Sequence, residues 1–160
     1  MDTVMHPAQI AVNDTLSPYP TTKESSVPWL GEIPAHWDMV RNKTLFSRRR
    51  EIVGDRHKDF TLLSLTLRGV IPRDMENAKG KFPADFDSYQ AVHANDFIFC
   101  LFDIDETPRT VGVAPIAGMI TGAYTVLTPQ TANPSYLYYL YLSLDEQKAL
   151  KPLYTGLRKV

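Results

Sequence analysis

Apolar and polar positions change texture three times along this chain. At the start, Pro7, Pro18 and Pro20 are spread through polar sequence, and residues 1–18 read as a disordered leader. Residues 26–38 hold prolines, a glycine and two tryptophans. That is too broken for a regular element and too aromatic for a free linker, so an ordered loop is expected, with Trp29, Leu30, Ile33 and Trp37 buried as anchors. Residues 39–50 are of mixed character, apolar at Met39, Val40, Leu45 and Phe46 and closing on three arginines.

From Phe60 short β-branched and aromatic runs take over. Residues 61–67 and 70–73 read as two strands broken at Gly69. Residues 74–88 read as a polar loop. Residues 89–92 and 96–102 bracket a turn at Asn95 and Asp96, with 97–102 the strongest strand in the pattern. After a second polar loop at 103–110, strands are expected at 111–113, 119–121 and 123–127, with breaks at Gly112, Gly118 and Gly122. The texture then becomes helical. Asn133 and Pro134 supply a cap with proline at the first helical position, and apolar residues recur at Leu137, Leu140, Tyr141 and Leu144. Ser143 with Glu146 three residues on suggests a second helix start. At helical spacing, at least two of Tyr136, Tyr138, Tyr139 and Tyr141 must face the core. These elements predict an α+β protein: a single globular domain over residues 19–160, with a compact, twisted, mostly antiparallel β-sheet or barrel and a C-terminal helical segment.

Composition narrows the function classes. The single cysteine, Cys100, excludes an internal disulfide and a cysteine zinc cluster, and fits the cytoplasm. No apolar run approaches the roughly 20 residues that span a bilayer. The net charge is −1, but residues 41–81 hold 11 Lys/Arg against 5 Asp/Glu. An excess of cations gathered in one stretch of a neutral protein is what a phosphate-facing side requires.

Catalytic constellations are missing from the sequence. There is neither a Gly-x-x-x-x-Gly-Lys phosphate loop nor a Gly-x-Gly-x-x-Gly fingerprint, and the four histidines are not at ligand spacing. The acids at 103–106 lack the ligand alternation, glycine and distant glutamate of a calcium loop. Glu146 and Lys148 have the Glu-x-Lys spacing of some metal-dependent nucleases, but Glu146 is better used as a helix cap. No enzyme, cofactor or metal site is expected.

The string Val27-Pro28-Trp29-Leu30-Gly31-Glu32-Ile33-Pro34-Ala35-His36-Trp37 resembles the entry to the target-recognition domains of type I restriction-modification specificity subunits. Residues 63–66, 69–73, 96–98, 107–113 and 118–124 resemble that family's strands and turns in order, and 156–159 its junction with a long spacer helix. The resemblance covers about residues 19–160 and implies sequence-specific recognition of double-stranded DNA, without catalysis. It also implies partners: methyltransferase (modification) subunits and, through them, a motor-nuclease subunit. On this reading the chain stops where the spacer helix would begin. The rival class is an interaction module that docks on methyltransferase subunits without useful DNA affinity of its own.

Base readers must sit on loops that reach a groove from a rigid sheet. The segments 68–81 and 103–110 meet that need, and Arg68, Arg73, Asn77, Arg109 and Thr110 are the base-reading candidates. Lys43, Arg48, Arg49, Arg50, Lys79 and Lys81 are expected to clamp phosphates, fixing register without reading sequence.

Overall fold

The computed structural model describes residues 17–28, 30–74, 86–102, 107, 109–130 and 133–151. The chain divides into two compact units, Met1–Val40 and Arg41–Val160. In the first, strands β1 (Thr22–Glu24) and β2 (Glu32–Pro34) form an antiparallel hairpin in which Lys23 faces Ile33. Ile33 is buried, as expected, but Trp37 is 38% exposed. Its ring meets Tyr19 and His36 edge-on at 6.0 and 6.5 Å, so it belongs to a surface aromatic cluster rather than to a buried anchor. Trp29 lies outside the described residues.

The second unit opens with a single helical turn, α1 (Asn42–Leu45), that runs directly into strand β3 (Phe46–Arg49). Two hairpin strands follow, β4 (Leu63–Thr66) and β5 (Gly69–Pro72), then β6 (Gln90–Val92), β7 (Phe97–Phe99), β8 (Val111–Val113), β9 (Gly118–Ile120) and β10 (Thr125–Pro129). Helix α2 (Pro134–Glu146) closes the order. The class is α+β and every named strand pair is antiparallel. A four-stranded sheet, β3-β10-β7-β8, forms the centre, with β4-β5 and β6-β9 as separate two-stranded pieces. The barrel alternative is not realised among the described residues, where the central sheet ends at β3 on one side and β8 on the other.

Strand alternation assigns each face of the central sheet. Phe97 and Phe99 point to one side, where they pack with Phe46, Val111, Leu137, Tyr141 and Leu150. Ile98 points to the other, into a core with Leu63, Val70, Val92, Ala114, Ile120 and Val126. Helix α2 therefore covers one face, and the hairpin β4-β5 with the pair β6-β9 covers the other. Close approach is enforced at Gly112, where a Cβ would come within 2.6 Å of Leu65 and 2.7 Å of Val70.

Helix α2 starts as its sequence predicts. The Asn133 side chain accepts a 3.0 Å hydrogen bond from the Tyr136 amide, and Pro134 occupies the first turn. The second start at Ser143 does not occur. The apolar register through Tyr141, Leu144 and the buried Asp145 continues unbroken, so Ser143 lies inside one helix and its hydroxyl accepts from the Gln147 amide group at 3.0 Å. Tyr141 is buried and Tyr138 half-buried, whereas Tyr136 and Tyr139 face outward. Among the described residues no helix is long and apolar enough to cross a membrane.

Candidate nucleic-acid interface

The cation-rich stretch begins on α1 and β3. Residues 41–50 carry five Lys/Arg and no acid, and Arg41, Lys43, Arg48 and Arg50 are exposed. Strand alternation turns the side chains of Phe46 and Arg48 to the face that α2 covers, and Ser47 and Arg49 to the opposite face. Arg48 and Lys43 accordingly rim an open pocket of about 380 Å³ whose floor is Phe46, Phe99, Leu101, Leu127 and Tyr141.

Arg49 has a different fate from its neighbours, which corrects its expected place among the phosphate clamps. Its Nε lies 3.2 Å from the Asp96 carboxylate and donates to Thr128 Oγ1 at 3.3 Å. Thr128 in turn donates to Asp96 Oδ1 at 2.7 Å, and the His93 amide donates to Asp96 Oδ2 at 2.9 Å. Asp96 is 1% exposed and Arg49 29%. A guanidinium held by a buried carboxylate and a strand hydroxyl is a structural tie between β3, β10 and the turn before β7. It is not a free cation. The turn itself is made by Asn95 in the left-handed region at φ 70°.

A second exposed feature is the two-residue connection between β4 and β5. Gly69 takes φ 97°, and the Thr66 hydroxyl donates to the Gly69 carbonyl at 2.9 Å while accepting from the Arg68 amide at 3.1 Å. This fixed tip presents Arg68 and Leu67, the latter 64% exposed. Leu67 was not singled out by sequence reasoning. The available signal was an apolar residue at a turn position, where polar residues are the rule. Only the tip end reaches toward α2, where a Cβ at Gly69 would meet the Tyr138 hydroxyl at 3.7 Å. Tyr139, 70% exposed, is the next residue along that helix.

The remaining candidates separate. Arg73 is half-buried at the far end of the same hairpin, its amide bonded to the Leu62 carbonyl at 2.8 Å. A strand rise of about 3.3 Å per residue puts it well over 10 Å from Arg68. Thr110 is 0% exposed, and its amide donates to Asp145 Oδ2 at 2.8 Å. This corrects its assignment as a base reader, because a side chain sealed beneath α2 cannot meet a base edge. Arg109, one residue earlier, is half-buried beside that junction. Arg56 is engaged with Glu51 at 3.1 Å. Asn77, Lys79 and Lys81 lie outside the described residues, as do residues 103–106.

Among the described candidates the structure groups only Lys43, Arg48 and Arg50, at the β3 edge of the central sheet. The other two, Arg68 at its hairpin tip and Arg109 just before β8, stand apart from each other. Three strand spacings, about 14 Å, lie between β3 and β8. Burial pushes the Tyr141 phenol up to about 12, an effect that the Asn42 side chain partly opposes. No protein-family model, curated protein or solved structure matches this chain.

Proposed function

We propose that this chain binds double-stranded DNA and reads its sequence without chemistry of its own, in the manner of one target-recognition domain of a type I specificity subunit. The observation that carries the reading is the run of exposed cations with no acid among them: Lys43 on α1, Arg48 on the edge strand β3 and Arg50 just after it. A phosphate contact needs a cation at the surface with no internal counter-ion; among the described residues these three have no ion pair, whereas Arg49 has one. Arg68 and Arg109 are the proposed readers. The resemblance at residues 27–37 adds methyltransferase subunits and a motor-nuclease as partners, in the cytoplasm.

The test is the salt dependence of binding to duplex DNA, read by fluorescence anisotropy. Each phosphate contact contributes about 0.9 to the slope of log K against log salt concentration. The R48Q/R50Q double variant is expected to flatten that slope by about 1.8, whereas R49Q leaves it unchanged. Equal slopes for the wild type and the double variant would remove β3 from the interface.

A further inference from the structure

The hydrogen-bonding parity of β3 has a consequence for its outer side. Gln130 donates to the Leu45 carbonyl, and the register pairs Ser47 with Thr128 and Arg49 with Val126. In an antiparallel ladder alternate residues bond to the neighbour. Ser47 and Arg49 therefore turn their backbone groups toward β10, while Phe46 and Arg48 turn theirs outward. Pro129, which lacks an N–H, sits opposite Phe46 at a position where none is needed. The Phe46 amide is taken by the Asn42 carbonyl of α1. The outward Phe46 carbonyl and the Arg48 amide and carbonyl have no backbone partner among the described residues. Beside them opens the apolar pocket of about 380 Å³, with Arg48 and Lys43 at its rim.

We infer that this edge docks an extended acidic peptide. The peptide would add a strand beside β3, place one apolar side chain in the pocket, and set its carboxylates against Lys43, Arg48 and Arg50. Three separate features meet there: strand groups with no backbone partner among the described residues, an apolar hole on the same face, and cations with no ion pair among the described residues, the adjacent Glu51 being held by Arg56. Strand addition uses all three, with main-chain bonds giving affinity and the pocket giving selectivity. A DNA backbone uses only the cations. A second copy of the chain is disfavoured, because pairing two β3 edges would bring like charges together. The pocket volume is near the lower end of the range of about 300–1,000 Å³ for small-ligand sites, enough for one or two apolar side chains. The inference does not rest on DNA binding, although an occupant here would compete with a duplex for Arg48.

The experiment uses a fluorescein-labelled octapeptide with one central phenylalanine and glutamates two residues to either side of it, so that the ring and the carboxylates share one face of the added strand, titrated with the full chain. Two substitutions at one position separate charge from backbone. R48Q removes the cation and keeps the outward amide, whereas R48P removes both and leaves the β10 pairing untouched. R48P is expected to weaken peptide binding at least tenfold more than R48Q, while the two lower DNA affinity equally. L101W, which fills the pocket, is expected to weaken the peptide and spare DNA. In the unsubstituted chain the peptide is expected to slow hydrogen exchange at the Arg48 amide, a readout that does not depend on R48P folding. No peptide binding, equal effects of R48Q and R48P on the peptide, or an unprotected Arg48 amide would overturn the inference; so would binding of duplex DNA alone.

Discussion

Asp96→Ala tests the most consequential internal contact in the second unit. The carboxylate accepts from Thr128 Oγ1 at 2.7 Å and the His93 amide at 2.9 Å, and faces Arg49 Nε at 3.2 Å. Removing it strands two neutral donors, each costing about 1 kcal/mol or more when left without a partner. Arg49 is 29% exposed, so water recovers part of its solvation and its share is also about 1 kcal/mol. The sum is about 3 kcal/mol, at the lower end of the range for breaking a buried pair. R49Q is milder, about 1–2 kcal/mol, because Asp96 keeps both neutral donors. Urea unfolding followed by circular dichroism measures the difference. With an m value of about 1–3 kcal/mol per molar, the D96A midpoint falls by about 1–3 M at unchanged m. If R49Q costs as much as D96A, or D96A costs less than about 1 kcal/mol, the turn before β7 is held by something other than this network.

Three further outcomes are expected. R68A should cost about 1–3 kcal/mol of binding and relax preference at one base pair, measured by competition with singly substituted duplexes; R109A should do the same at a second position. Gly112→Ala should destabilise by about 1–3 kcal/mol through overpacking against Leu65 and Val70, read as a lowered urea midpoint. The Tyr141 phenol titrates near 12 when folded and near 10 when unfolded, because burial disfavours the phenolate. Its contribution is therefore fully present below pH 10 and is lost as pH rises from 10 to 12. Y141F should show a shallower alkaline loss than the unsubstituted chain, measured by urea midpoints from pH 9 to 12.

The strand pattern was largely legible because alternation and turn chemistry are local. The predicted breaks at Gly69, Asn95, Gly118 and Gly122 fall between or at the ends of strands, whereas the one at Gly112 does not occur, because that glycine lies inside β8 where Leu65 and Val70 pack on it; the Asn133 cap is formed by its own side chain. The pattern misled where a local motif competed with a longer register. Ser143 and Glu146 have capping spacing, yet the apolar face of α2 runs through them. The site was less legible, because the use of a charge depends on contacts distant in sequence. Three adjacent arginines look equivalent until strand alternation sends Arg49 to the face where Asp96 waits, 47 positions later. Thr110 looked like part of a polar loop, and only Asp145, 35 residues on, draws it inside.

Strand β7 is three residues long, yet it supplies the middle of the packing on both faces of the central sheet. Peeling away the helix would bare Phe97 and Phe99 on a strand whose centre, Ile98, is still gripped from behind; freeing Ile98 would do the converse. The layers are thereby coupled into one cooperative unit, and the amides of residues 97–99 should exchange only in global unfolding events.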